Sequence, residues 1–381
     1  MVIPQETQNG MVVGMAPALD YLANIRLPTE KAHGVQIMKM CEAFARMGAD
    51  IRLVASARRS VITGDPFHYY GMTKPFPLSR VWSIDAVSWG KWGFRLQSLT
   101  FALAALGHIR KNALLYGRDE MVLWVIGLFR KNPVVWESHT GAWNFFARVL
   151  AKRAKGIVVI SQGLKDFYVR HGVAEDKIIV AHDGVDLTSF AHTESQEEAR
   201  ARLGLPQDKK VAMYIGRLDG WKGVETLLEA SAFLPEDIQV VIIGGEEEQI
   251  ERLQRLHPHV IFLGYHPYAQ IADNEAAADV LVLPNTARDL TSARFTSPLK
   301  LFTYMASGKP IVASDLPSLR EVISDESAFF VEADNPESLA KGIQEAIASS
   351  DASRRAERAK ELVTQYSWGK RAERIIHFLT T

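Results

Sequence analysis

Short runs of Val, Ile, Leu and Ala recur along the chain. Each is closed by a turn residue and followed by a stretch in which apolar side chains return every three or four positions. A continuous apolar run between turn signals fits a strand buried on both faces, and the longer spacing fits a helix with one buried stripe. In the first half LDYLANI, ADIRLVA, ALLYG, NPVVWES and KGIVVIS are predicted strands, and VQIMKMCEAFARMG and LKDFYVRHG are helices ended by Gly48 and Gly172. In the second half KKVAMYIG, IQVVIIGG, VIFLG, DVLVLP and KPIVASD are predicted strands. This alternation predicts an α/β chain with parallel strands and crossover helices, whose functional loops follow the carboxyl ends of the strands.

The polar stretch from Ala191 to Lys210 precedes the second strand series and marks a domain boundary. The closing YSWGKRAERIIHFL is amphipathic, so Trp368, Ile375, Ile376 and Phe378 need a surface to bury against. No repeat of solenoid period and no low-complexity tract is present.

At 381 residues the chain suits two domains, and 47% hydrophobic with 23% charged residues fits two apolar cores. Lys plus Arg equals Asp plus Glu at 44 each, so nucleic acid is not an expected partner and any anion must be gripped locally. The single Cys41 excludes an internal disulfide and reads as core packing in a reducing compartment. The opening MVIPQETQNGMVVG lacks signal-peptide character, and no apolar run reaches the ~18 residues of a span. The expected location is cytoplasmic. One cluster keeps a peripheral membrane contact open: Trp82, Trp89, Trp92 and Phe94 stand near Lys91 and Arg95, readable as an interfacial patch or as aromatic packing under a loop.

Two second-half segments carry candidate chemistry. In YIGRLDGWKGVETLLEA, Gly216 and Arg217 follow a strand, and Lys222 and Gly223 open the next helix. A guanidinium, an ammonium and helix-start amides together suit a diphosphate, though solvated surface cations show the same pattern. In SPLKLFTYMASGKPIVASD, Ser297 is expected to cap a helix starting at Pro298, leaving the Leu299 and Lys300 amides for a second phosphate contact.

With HDGVDLTSF, VIIGG, FLGY and DVLVLP in their order, these segments resemble retaining family-four glycosyltransferases of the GT-B fold over nearly the whole chain. The resemblance implies two Rossmann-like parallel-sheet domains facing across a cleft: residues 1–190 plus 366–381 on the acceptor side, and 191–365 holding the nucleotide sugar. The terminal helix would cross back to the first domain.

By the same resemblance Arg217 and Lys222 bind the donor diphosphate and stabilise the leaving nucleotide. Gly216, Ser297, Pro298, Leu299 and Thr303 contact phosphate or ribose. Gly244, Gly245, Gly264 and Tyr265 approach a base that is uracil or guanine. Gly34 lies at the donor phosphates or the acceptor, with Lys31 and His33 as acceptor-side candidates beside it. His139 in WESHT corresponds to the family's cleft histidine, with Glu137 to orient it, and Tyr116 and Arg118 are weaker acceptor candidates. No cofactor and no metal is expected, since no Asp-x-Asp motif is present and the His257/His259 pair reads as a polar turn.

The chain departs from the family at two positions. Thr303 and Phe295 stand where the family carries glutamates eight residues apart. A carboxylate accepting both ribose hydroxyls contributes roughly 1.5–3 kcal/mol per bond. Loss of ~2–3 kcal/mol weakens donor binding by roughly 30- to 150-fold. Asp289 is a possible substitute carboxylate, and Arg288 and Arg294 are cationic alternatives, unless all three only solvate a loop. The expected function is hexose transfer from a nucleoside diphosphate sugar to a glycan or lipid-linked acceptor. The alternatives are a degenerate binding subunit and, behind it, a nucleotide-sugar epimerase.

Overall fold

The computed structural model describes residues 17–218 and 220–381. The opening segment read above as lacking a leader lies outside the described residues. Two all-parallel sheets form. The first contains β1 (Ala18–Ala23), β2 (Asp50–Ser56), β3 (Leu78–Val81), β4 (Leu114–Gly117), β5 (Val134–Ser138), β6 (Gly156–Val159) and β7 (Ile178–Val180), in the order β3-β2-β1-β4-β5-β6-β7. The second contains β8 (Lys210–Ile215), β9 (Ile238–Ile243), β10 (Ile261–Phe262), β11 (Val280–Leu283), β12 (Ile311–Ser314) and β13 (Phe329–Val331), in the order β10-β9-β8-β11-β12-β13.

Strand order reverses between β1 and β4 in the first sheet and between β8 and β11 in the second. A crevice opens at such a reversal, because the flanking loops leave in opposite directions. Arg118 and Arg217 follow β4 and β8 directly, and Gly34 lies in the first turn of the Ala32–Arg46 helix that follows β1, so each stands on the reversal side of its own sheet.

Apolar strands covered by helices on both faces give each sheet two cores. The polar stretch before β8 contains a helix, Gln196–Leu203, closed by a Ser195/Glu198 capping box, with Ala199 and Leu203 in the second lobe's core. The last helix, Trp368–Thr380, buries Trp368, Ala372, Ile375 and Leu379 in the core beneath β1 and the Ala32–Arg46 helix of the first lobe. The lobes touch through apolar contacts that set Phe295 and Leu299 against the first lobe's cores and through polar pairs. Glu321 accepts the Gln162 and Gly163 amides at 2.7 and 3.1 Å, and the Tyr69 and Tyr265 hydroxyls meet.

Trp82, Trp89 and Trp92 are 66%, 71% and 77% exposed, so they do not pack beneath a loop. Among the described residues no helix is long and apolar enough to cross a membrane.

Candidate active site

Strand β5 is buried from Val135 to Ser138 and carries a carboxylate at its next-to-last position, so Glu137 is fully enclosed and must be satisfied by protein groups. Four elements supply them. Gln36 Nε2 and His139 Nε2 each stand 2.6 Å from Glu137 Oε1, Arg371 Nη2 from the last helix stands 3.1 Å away, and the Tyr116 hydroxyl donates to Oε2. Burial alone would raise this carboxyl. Arg371, the His139 hydrogen bond and Arg118 outweigh it and hold the group well below the usual carboxylate range.

An ionised Glu137 fixes the His139 tautomer, since Nε2 must carry the proton it donates. Nδ1 is then the acceptor, and Arg118 Nη2 stands against both ring nitrogens, 2.9 Å from Nδ1. Burial and the Arg118 charge push His139 down to about 3, so the ring is neutral at physiological pH.

His139, Arg118, His33 and Lys31 line a cavity of about 870 Å³ in the first lobe. His33 is lowered to about 4 by burial and by the charges of Arg118, Lys31 and Arg217. The last of these belongs to the second lobe and makes the smallest of these contributions. Gly34 sits at the entrance of the Ala32–Arg46 helix, where a Cβ would come within 2.2 Å of the Tyr70 hydroxyl.

Tyr116 is a correction to the acceptor-side expectation. Its side chain is fully buried, 4.9 Å from the Tyr21 ring and 5.8 Å from Phe44, and its hydroxyl is engaged by Glu137. Strand alternation sends it beneath the cavity floor, and it supports the site without lining it.

In the second lobe, Gly216, Gly244 and Gly264 bring three strand-end turns together. Gly244 N donates to the Gly264 carbonyl at 2.6 Å, and a Cβ on Gly244 would stand 2.1 Å from the Gly216 carbonyl. Gly245 follows directly, and Tyr265 is half exposed beside them. Lys222 Nζ lies 3.5 Å over the Trp221 ring, and Lys300 Nζ lies 3.7 Å over Tyr214, whose hydroxyl donates to the Arg217 carbonyl. Lys300 adds a cation beside Gly216 that the sequence reading named only for its amide.

The expected Ser297 cap is also corrected. The helix runs Leu299–Ser307 from an extended Pro298, with no side-chain cap, and Ser297 Oγ accepts the Asp183 amide at 2.9 Å. Ser297 is buried between the lobes, where that amide has no water to turn to. Thr303 is almost fully buried, and its hydroxyl donates to the Lys300 carbonyl at 3.0 Å. Beside it Glu275, absent from the sequence reading, is completely enclosed. Burial raises its carboxyl well above the usual range, and a protonated acid at an apolar helix contact gives no periodicity signal. Among the described residues no group of three or more His, Cys, Asp or Glu is placed to hold a metal ion.

Residues 33–189 match the Glycosyltransferase Family 4 description, and residues 195–363 match Glycosyl transferases group 1. The chain belongs to the group 1 glycosyltransferases. Relatives include the putative teichuronic acid biosynthesis glycosyltransferase TuaC of Bacillus subtilis, 26% identical over 53% of this chain and 49% of TuaC. The D-inositol 3-phosphate glycosyltransferase of Streptomyces scabiei is 31% identical over 45% of this chain and 42% of its own length. The chain thus spans about half the length of the curated relatives it matches. Among solved structures, Anabaena HepE in complex with UDP and glucose superposes with a TM-score of 0.75 at 18% identity, covering 96% of this chain and all of that one. Sucrose-phosphate synthase of Thermosynechococcus elongatus gives 0.76 at 20% identity, over 94% and 97%. At these identities the superpositions establish the GT-B fold.

Proposed function

We propose that this protein is a retaining hexosyltransferase that takes a nucleoside diphosphate sugar, with UDP or GDP as the nucleotide, and transfers the sugar to a hydroxyl of a glycan or lipid-linked acceptor. In this reading the first lobe works peripherally at a membrane. The observation that carries it is the meeting of the Tyr69 and Tyr265 hydroxyls, which brings the Gly216, Gly244 and Gly264 turns of the second lobe beside the part of the first lobe where Tyr70 holds Thr29 and closes on Gly34. Departure of the nucleotide builds negative charge on a phosphate oxygen. Fixed cations in a cleft stabilise that charge more in the transition state than in the ground state. Arg217 and Lys222 fill this role, with Leu299 at a helix start as a further phosphate contact, so no metal or cofactor is required. Neutral His139 offers Nδ1 to a hydroxyl once Arg118 turns away, and Thr303 meets the ribose.

The test is release of UDP or GDP from a panel of nucleotide sugars, run with and without EDTA. Release should survive EDTA and fall by at least about 100-fold in Arg217→Ala or Lys222→Ala, the scale set by loss of one preorganised electrostatic group. Unchanged release in both variants would remove the mechanism.

A second reading, a binding subunit without turnover, is favoured by Phe295. Its ring is buried against Gly141 of the first lobe, where a Cβ would approach it to 2.4 Å, and it packs 5.5 Å from Phe167. A position that carries a carboxylate in the family here closes the lobe contact. Nucleotide binding with no turnover on any donor would favour this reading.

A further inference from the structure

The helix Gly90–Ala105 is apolar on both sides, with Phe101, Ala102 and Ala105 in the core of the first lobe. Its buried side includes the polar Gln97 and Ser98, and Ser98 Oγ donates to Asp119 Oδ2 at 2.9 Å. Its outer side carries Trp92, Leu96, Leu99 and Leu103, spaced four, three and four residues apart and all more than a third exposed. The stripe continues onto the preceding turn through Val87 and Trp89. It also continues sideways onto the adjacent helices Glu120–Phe129 and Phe145–Arg153, through exposed Leu128, Phe129 and Phe145. Scattered exposed apolar residues are ordinary, but a contiguous aromatic and aliphatic face is not.

The charge on the helices that form this face is one-sided in a chain that is neutral overall. Gly90–Ala105, Glu120–Phe129 and Phe145–Arg153 together carry five Lys and Arg (Lys91, Arg95, Arg148, Lys152 and Arg153) against one acidic residue, Glu120. Lys91 and Arg95 rise from the stripe itself, and the Arg95 guanidinium lies 5.0 Å over the Trp92 ring. A partner must therefore accept rings and aliphatic chains at its surface while presenting negative charge in the same plane.

We propose that this face docks on an anionic lipid bilayer. The Trp rings would sit at the headgroup boundary and the cations against lipid phosphates. A cavity of about 480 Å³ opens within the face between Phe94 and Phe145. It shares Val87, Phe94, Asp119 and Glu120 with the larger His139 cavity, so a docked molecule would present its acceptor side to the bilayer plane. This last step rests on the transferase reading, whereas the docking does not.

The experiment is flotation of the full chain with phosphatidylcholine vesicles, with and without phosphatidylglycerol, at low and raised salt. Wild type should float with the anionic vesicles and be released by salt. Lys91→Ala/Arg95→Ala should weaken partitioning by roughly 30-fold, from ~1 kcal/mol per cation near the surface. Trp89→Ser/Trp92→Ser should abolish it with an unchanged melting temperature, as both rings are already exposed. Absence of flotation, or equal flotation of the variants, overturns the proposal. A concentration-dependent dimer that Trp92→Ser dissociates overturns it equally, making the face a self-interface. The two readings fail separately: vesicle-free nucleotide release is unaffected in the Trp pair, and Arg217→Ala keeps flotation while losing release.

Discussion

Arg371 Nη2 stands 3.1 Å from Glu137 Oε1, both side chains fully buried, which ties the last helix of the chain to the floor of the acceptor-side cavity. The same guanidinium donates through Nε to the Ala181 and His182 carbonyls at 3.2 and 2.9 Å. Removing one member of such a pair strands a buried charge, at a cost of roughly 3–5 kcal/mol. Arg371→Met should lower the unfolding free energy by that amount in a denaturant titration. Arg371→Met/Glu137→Gln should recover part of it, since the stranded charge is gone. A single variant as stable as wild type would show that the helix is held by its apolar face alone.

Folding keeps the His139 ring neutral, and this has a pH signature. Its folded value of about 3 lies below the ordinary 6.5, so below pH 6.5 the unfolded chain takes up a proton that the folded chain refuses. Stability from this group is therefore complete above pH 6.5, falls as pH drops, and levels off near 3. Relative to His139→Gln, wild type should lose about 2 kcal/mol between pH 7 and pH 5. Parallel denaturant titrations measure this, and imidazole NMR provides the direct check: a midpoint near 6.5 for His139 would contradict the enclosed Glu137–His139–Arg118 arrangement.

Much of the frame was legible because parallel strands buried on both faces are written as uninterrupted Val and Ile runs, of which VVII in β9 is the clearest. The strands not predicted, β3, β7 and β13, all lie at the edge of a sheet, where pairing on one side only leaves a short segment with no long apolar run to mark it. The helix Gly90–Ala105 went unread because it is apolar on both sides and its core side includes Gln97 and Ser98. At the site, His139 and Arg217 just after strands and Gly34 at a helix start could be named because position beside an element's end is local information. The Glu137 cluster gathers Gln36, Tyr116 and Arg371, which are 101, 21 and 234 residues from it, and only the folded chain brings them together.

The two positions where the family carries glutamates are not equivalent here. Phe295 is 4% exposed, packed among the apolar residues of the first lobe. Phe295→Glu would delete that ring and bury a carboxyl beside Gly141, so a loss of about 3–5 kcal/mol is expected, comparable to large core truncations. Calorimetric unfolding would register it as a fall in melting temperature. An unchanged value would mean that the lobes part readily enough to expose the introduced acid.

Thr303 is the position where a glutamate should add function. Its hydroxyl already spends its proton on the Lys300 carbonyl, and the neighbouring Glu275 carboxyl stays protonated through burial. Thr303→Glu would set a second carboxyl beside one that holds a proton, and the two would share it, Glu275 donating and the introduced group carrying the charge. That charged group could accept ribose hydroxyls, so UDP or GDP affinity should rise by roughly 30- to 150-fold, measured by titration calorimetry. Thr303→Gln, which introduces a neutral acceptor, should gain much less. Thr303→Glu/Glu275→Ala should lose most of the gain, because the hydrogen bond that stabilises the introduced carboxylate is removed. If the single variant binds nucleotide no better than wild type while remaining folded, Thr303 does not face the ribose, and the placement of the donor along the Leu299–Ser307 helix must be redrawn.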